Sequence, residues 1–362
     1  MVKDKNIFIA HNWLDSTLNR QSKEMAIYFS ENNTVFFLNA KSKVEAHKVN
    51  NNLSVLNWPG KRPTGIRDLL FAIKIMRRHK PNIVISSFAA NNIMLFVSWF
   101  FGAEKRICYY HTLVSQYIQD KGSLNFEQRL KIFRKGFFWR KATHILASSN
   151  SAMKDILKYY NVNEENIYIF PNAIPDKQVI NKGDKNKIGF IGRLHRSKGV
   201  DVLIDAFYKL SFEFPALRLC IAGGGDMKEA LEKQVERLLL KDKVTFEGGI
   251  DNDKICDFLA SVNFLVVPSR IDNLPTVVLE SFSTATPVIA SNVGGIPDMV
   301  EDNINGLLFE NENVEDLYFK MKLLVTGGEL WNKLSKNARI KFIDKYSLEK
   351  LPARFEQLLA NN

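Results

Sequence analysis

KIGFIGRLHRSKGVDVLIDAFYKL occupies residues 187–210. Its first six residues form an apolar run closed by Gly192. Runs that stay apolar rather than alternating suit strands covered by helices on both faces. A basic loop follows over 193–198. From Val200 the period changes: apolar residues stand at 200, 203, 204, 207 and 210, the spacing of a helix with one buried face. The stretch therefore reads as strand, loop and helix, and the rest of the chain repeats the pattern.

In the first half the strand runs are NIFIA (6–10), TVFFLN (34–39), NIVISS (82–87), KRICYYH (105–111), HILASS (144–149) and NIYIFP (166–171). In the second they are KIGFIG (187–192), LRLCIAG (217–223), KVTFEG (243–248), NFLVVPS (263–269), TPVIAS (286–291) and NGLLFE (305–310). Such alternation with amphipathic stretches predicts α/β architecture with parallel, doubly wound sheets. A chain of 362 residues exceeds one ordinary core. The break is expected at FPNAIPDKQVINKGDKNK (170–187), which holds two Pro, one Gly and a polar charged run. Two similar-sized domains, each binding at the carboxyl edge of its sheet, would make a cleft for two substrates.

Composition narrows the partners. Residues 1–180 carry 26 Lys+Arg against 13 Asp+Glu, whereas residues 181–362 carry 24 against 26. All of the excess charge of +11 therefore belongs to the first half. A one-sided positive field implies an anionic partner, nucleic acid or an anionic membrane surface. No apolar run reaches 18 residues; the longest, IMLFVSWFFG (93–102), is interrupted by Ser98 and reads as a buried helix. MVKDKNIFIAHNW has too short an apolar run for a signal peptide, so a cytoplasmic location is expected. Cys108, Cys220 and Cys256 lie far apart, without metal or disulfide spacing, and read as small core residues.

Chemistry gathers in the second half. After Gly192, Arg193 and Lys198 flank the start of the 200–210 helix. Helix N-termini favour phosphate, Arg forks onto phosphate oxygens and Lys supplies a point charge. AGGGDMKEA (222–230) fails the dinucleotide fingerprint because its third Gly position, 228, is Lys; a tight turn approaching a ligand is expected instead. Asp251-Asn252-Asp253 has a spacing that can hold a divalent cation, but DNDKICDFLA reads better as an N-capped helix start, so no metal is expected. SRIDNLPTVVLE (269–280) places Asp272 in a loop and Glu280 about one turn inside a helix entered at Pro275. Carboxylates accept bonds from vicinal hydroxyls, so one acid suits sugar hydroxyls and the other a ribose diol. Backbone donors of Asn273, Leu274, Pro275's neighbours and Thr276 lie between them.

Taken together these motifs resemble the donor domain of retaining glycosyltransferases of family 4, whose fold is GT-B. The matching residues are Gly192-Arg193 with Lys198-Gly199, Gly223 to Gly225, Pro268-Ser269, Asp272-x7-Glu280, Thr286-Pro287-Val288, Gly294-Gly295-Ile296-Pro297 and Asn305-Gly306. The resemblance implies a first, acceptor-binding domain over 1–175, a nucleotide-sugar donor domain over 176–345 and a helix crossing back over 346–362. It implies donor binding by Gly192, Arg193, Lys198, Asp272, Asn273, Leu274, Pro275, Thr276 and Glu280. Arg193 and Lys198 would neutralise the diphosphate, Glu280 would hold the ribose hydroxyls, and Asp272 the sugar's ring hydroxyls. The nucleobase would lie near Val244–Gly248. No cofactor or metal is implied beyond the nucleotide-sugar co-substrate, because cationic side chains and helix N-termini would stabilise the leaving group. His111, after KRICYYH, is the candidate for the catalytic histidine near the sugar. Two departures stand out: the first acid is Asp rather than Glu, and the first-half Gly-Gly loop is replaced by HNWLDSTLNRQSKEMA (11–26), with Asn19-Arg20-Gln21 at the loop-to-helix turn.

EQRLKIFRKGFFWRKATH (127–144) interleaves Arg129, Lys131, Arg134, Lys135, Arg140 and Lys141 with Ile132, Phe133, Phe137, Phe138 and Trp139. A basic aromatic helix suits an anionic membrane interface. The expectation is peripheral attachment to the inner membrane face and a lipid-linked or oligosaccharide acceptor in surface polysaccharide assembly. Nucleic acid is not expected, since no helix-turn-helix, zinc or RNA-recognition signature accompanies the charge. An epimerase or phosphorylase on the same fold remains the alternative, although no further acid/base pair or Schiff-base Lys stands out.

Overall fold

A computed structural model describes residues 2–11, 17–39, 47–111 and 113–360. The chain divides into two compact units, 1–174 with 348–362, and 175–347.

The first unit carries strands β1 (Asn6–Ala10), β2 (Thr34–Asn39), β3 (His47–Lys48), β4 (Leu53–Asn57), β5 (Ile83–Ser86), β6 (Lys105–Tyr110), β7 (His144–Ala147) and β8 (Ile167–Ile169). They form one sheet in the order β3-β4-β2-β1-β5-β6-β7-β8. All pairs are parallel except β3 with β4. The chain winds outward from β1 toward β4, then resumes at β5 on the other side, so its switch point lies between β1 and β5. The helix Leu351–Ala360 belongs to this unit: Phe355 packs edge-on against Phe29 and Phe170.

The second unit contains β9 (Asp184–Ile191), β10 (Arg218–Ala222), β11 (Val244–Gly248), β12 (Val262–Val267), β13 (Val288–Ser291) and β14 (Leu307–Phe309). Their order is β11-β10-β9-β12-β13-β14, all parallel. The switch point falls between β9 and β12. Helix Val200–Glu213 buries Val200, Leu203, Ile204, Phe207 and Leu210 against Ile188, Phe190, Phe264 and Val266. The 3.6-residue period in the sequence is thus the packed face. Among the described residues no helix is long and apolar enough to cross a membrane.

Candidate functional site

Two loops meet at the β9/β12 switch point, where open parallel sheets place their ligands. Gly199 has φ +64°, and a Cβ there would lie 2.0 Å from the Pro268 carbonyl oxygen. Gly294 has φ +57°, and its Cβ would lie 1.8 Å from the Asp272 carbonyl oxygen. Only glycine allows both the left-handed backbone and these approaches. The loops are then tied by charge. Lys198 Nζ lies 2.5 Å from Asp272 Oδ2, with the Lys 25% and the Asp 12% exposed in their side chains. Ser269 Oγ donates to the same carboxylate oxygen at 3.4 Å. Arg270 forks onto Asp201 at 2.8 and 2.9 Å, reaches Glu312 at 2.5 Å and donates to the Arg196 carbonyl at 2.8 Å. The bonds to Asp201 are the largest cause raising the guanidinium's pKa, so it stays charged. Asn273, Leu274 and Pro275 are buried beside Asp272; Arg193 is exposed, and Gly192 and Thr276 are half-buried.

Glu280 stands on helix Thr276–Ser283. Burial pushes its carboxyl up to about 7, opposed by the charge of Lys177. Lys177 Nζ donates to the carbonyls of Asn252 and Asp253 at 3.0 and 2.9 Å. Helix Ile255–Ser261 starts after Lys254 with no side-chain cap, so the N-cap expected from DNDK is absent. The Gly turn after β10 also differs from expectation. Cβ atoms at Gly223 and Gly225 would lie 1.8 and 2.3 Å from the carbonyl oxygens of Gly192 and Leu194, so these glycines admit the protein's own backbone.

The first unit gathers a different set at the ends of β1, β5 and β6. His11 follows β1 and is 8% exposed. Its Nδ1 bonds Ser22 Oγ at 2.7 Å, while its Nε2 has no partner among the described residues. His111 follows β6 and also has an unpartnered, buried Nε2. The two rings lie 6.4 Å apart. Phe88 stacks on His111 at 4.4 Å and holds φ +52°, a strained conformation for a bulky residue. Burial pushes His11 down to about 4, although the Asn19 side chain opposes it. It pushes His111 to about 3, helped by the charges of His11 and Lys135. Both imidazoles are neutral at pH 7. Asp155 fixes the His111 loop: it accepts from the Tyr110 hydroxyl and from the Val114 and Ser115 N–H at 2.8 and 3.0 Å. A pocket of about 300 Å³ opens beside His11, with Lys61, Arg62 and Phe88 in its wall.

His11 was not singled out in the sequence; its only signal is its place directly after the first strand. Asn19 and Gln21 lie inside helix Thr17–Ser30 and are buried. Gln21 donates to Tyr109 Oη at 3.4 Å and accepts from Ala173 N at 3.0 Å, so its amide serves the fold. Residues 12–16 of the loop ahead of it lie outside the described residues. On helix Phe126–Trp139, Trp139 is fully buried and Lys135 turns inward, its Nζ 4.4–5.1 Å from the ring centres of Trp139, Tyr160 and Tyr110. Burial lowers Lys135 to about 8. Neither residue belongs to the exposed basic face that the sequence suggested.

Two family models match the chain in tandem. Glycosyltransferase Family 4 covers residues 28–178, and Glycosyl transferases group 1 covers residues 173–341. An uncharacterized glycosyltransferase of Methanocaldococcus jannaschii is 35% identical over 52% of this chain and 52% of its own. The gpi3 subunit of the phosphatidylinositol N-acetylglucosaminyltransferase of Schizosaccharomyces pombe is 26% identical over 57% of this chain and 45% of its own. The matched region spans about half the length of these curated relatives. Among solved structures, Anabaena HepE in complex with UDP matches with TM-score 0.75 at 13% identity, covering 99% of this chain and 100% of that one.

Proposed function

The chain belongs to the group 1 glycosyltransferases and has their GT-B fold, and from that premise we propose that it moves a sugar from a nucleoside diphosphate sugar to an acceptor hydroxyl with retention of anomeric configuration. The observation that carries this reading is the Lys198–Asp272 pair at the β9/β12 switch point, with Glu280 on the helix that follows. Lys198 and the exposed Arg193 take the diphosphate, each charge-assisted bond contributing roughly 1.5–3 kcal/mol. When phosphate draws on Lys198, Asp272 is freed toward the sugar hydroxyls. Glu280 accepts from the ribose diol. HepE, which shares the fold, was solved in complex with UDP, and this supports a nucleotide donor here.

In the reaction, the bond from the anomeric carbon to the diphosphate oxygen breaks and the acceptor oxygen bonds on the same face. The acceptor's proton passes to the departing diphosphate. Cationic side chains and helix N–H groups stabilise that leaving group without a metal. His111, neutral because it is buried, serves as a hydrogen-bonding partner to the sugar rather than a cation. The acceptor is a lipid-linked glycan of surface polysaccharide assembly, met at an anionic membrane. Phe126 and Phe133, 82% and 70% exposed, lie among Arg129, Lys131 and Arg134 on one helix and support that docking.

A thermal-shift panel of UDP-, GDP- and ADP-sugars on wild type and Glu280→Ala tests the donor assignment. One donor should raise Tm by mass action in the wild type and lose its effect in the variant. No response to any donor would reject the site.

A further inference from the structure

We infer that the first unit holds a phosphorylated lipid acceptor across two adjoining cavities, its anionic group against Lys61 and Arg62 and its hydrocarbon chain in the neighbouring groove; this rests on the glycosyl-transfer reading above. The groove, about 620 Å³, is walled by Ile66, Leu69, Ile93, Phe96, Phe137 and Phe138. Pro63 and Ala89 line both this groove and the roughly 300 Å³ pocket beside His11, so the two cavities share a wall. One loop runs along both. Asp68, 4% exposed, fixes it by accepting from the N–H groups of Gly60, Thr64 and Gly65 at 3.0, 3.1 and 3.1 Å. Because the acid points into the loop, it leaves the side chains of Lys61 and Arg62 exposed. Among the described residues no ion pair engages either of them.

The pocket beside His11 carries Lys61 and Arg62, and the groove is mostly apolar, with Thr64, Asn92 and Arg134 also in its lining. His11 lines the pocket that holds Lys61 and Arg62, and its Nε2 is buried and unpartnered; a buried polar atom left without a bond calls for an explanation such as a ligand. Ile66 and Phe137, 71% and 45% exposed, border the groove. Exposed apolar surface of this extent beside a cavity marks a binding surface. A cationic head site joined to an apolar groove matches a lipid whose phosphate adjoins its chain. The charge complement and the shared lining with the His11 pocket select the acceptor molecule itself, rather than bilayer lipid, as the occupant.

Titration calorimetry with decyl phosphate, inorganic phosphate and decanol tests this on the full chain. Decyl phosphate should bind at least about tenfold more tightly than either alternative. Ile66→Glu places a carboxylate at the first residue of helix Ile66–His79, a favourable position, so the fold is kept. That variant, and Phe137→Glu independently, should reduce decyl phosphate binding to the level of inorganic phosphate. Arg62→Glu should lower decyl phosphate to the level of decanol. Wild-type binding in both apolar variants, or equal affinity for decanol and decyl phosphate, would overturn the inference. The donor response of the same samples separates the two readings. A retained donor shift without decyl phosphate binding rejects the lipid-phosphate site alone. Decyl phosphate binding without any donor shift rejects glycosyl transfer and leaves the lipid-phosphate site standing.

Discussion

The two units reach their switch points by opposite means. At β9/β12 the loops are locked by Gly199 and Gly294, crossed by the Lys198–Asp272 pair and clamped by Arg270. The polar groups there are largely satisfied within the protein. At the ends of β1, β5 and β6 the reverse holds: two buried histidines keep an unpartnered nitrogen, Phe88 is strained, and a pocket stands open. A prebuilt network suits a ligand whose phosphate and ribose never vary. Unpartnered ring nitrogens and an open cavity suit a ligand that supplies the missing bonds itself.

The sharpest way to break this contrast is one substitution at each unit's locked or strained position. Gly294→Ala must give up the left-handed turn or push Asp272 away, because its Cβ would meet the Asp272 carbonyl oxygen at 1.8 Å. Donor affinity should fall by about 5- to 100-fold, the range set by a backbone strain of about 1–3 kcal/mol. Phe88→Gly removes a strained φ of +52°, a conformation that costs about 1–3 kcal/mol. It also removes the ring stacked on His111, so Tm should hold or rise while acceptor turnover falls. Isothermal titration with the nucleotide sugar and a melting curve for each variant decide the matter. Normal donor binding by Gly294→Ala would mean that the second unit's loop is not preset.

The same contrast governs what could be read beforehand. All six runs of the second half are strands of its sheet; β12 and β13 are buried on both faces and apolar almost throughout, whereas the edge strand β11 alternates, with Thr245 and Glu247 exposed. In the first half β4 was missed: LSVLN alternates, and only Leu53 and Val55 are buried. The two-residue β3 is exposed and carries no apolar signal at all. Acids and bases of the second unit were legible since glycines and charges crowd into two short loops. In the first unit the pocket is assembled from three distant stretches, around residues 10–11, 58–63 and 87–90, and Phe88 in its wall stacks on His111 from a fourth, so no local spacing links them. On helix Phe126–Trp139 the error was one of phase. Ile132, Lys135, Gly136 and Trp139 follow the i, i+3, i+4, i+7 period and turn inward, so a count of basic residues includes one on the wrong face.

A smaller effect sharpens the donor half. Burial raises the Glu280 carboxyl to about 7, and a vicinal diol donating two bonds favours the ionised form, in which both oxygens accept. Below pH 7 the group must first lose its proton, so donor affinity should weaken by roughly tenfold per pH unit and level off above it. Proton release on binding, read as a buffer-dependent heat, accompanies this. Glu280→Gln should bind more weakly and show neither the slope nor the release. A pH-independent wild-type affinity between 5.5 and 7.5 would remove Glu280 from the ribose.

The smallest expected effect concerns stability, and here the units should respond to acid in opposite senses. His11 and His111 titrate lower when folded than the usual 6.5, at about 4 and 3, and as neighbours they titrate jointly. The unfolded chain therefore takes up protons first, and the first unit loses stability as pH falls from about 6.5 toward 4. Glu280 titrates higher when folded than its usual 4.5, so the folded state holds the extra proton and the second unit loses stability as pH rises from about 4.5 to 7. Burial pushes the carboxyls of Asp201 and Asp176 up, but the bonds from Arg270 and Arg339 outweigh it and hold both below 3.8, outside this window. Amide exchange of the central strands β6 and β12, followed from pH 4.5 to 6.5, should show protection rising with pH in the first and falling in the second after correction for intrinsic rates. His111→Gln should reduce only the β6 trend, leaving the share of His11 and of His144, which burial also lowers to about 4, and Glu280→Gln should flatten only the β12 trend. Parallel trends in the two strands would mean that neither buried group controls the acid response of its own unit.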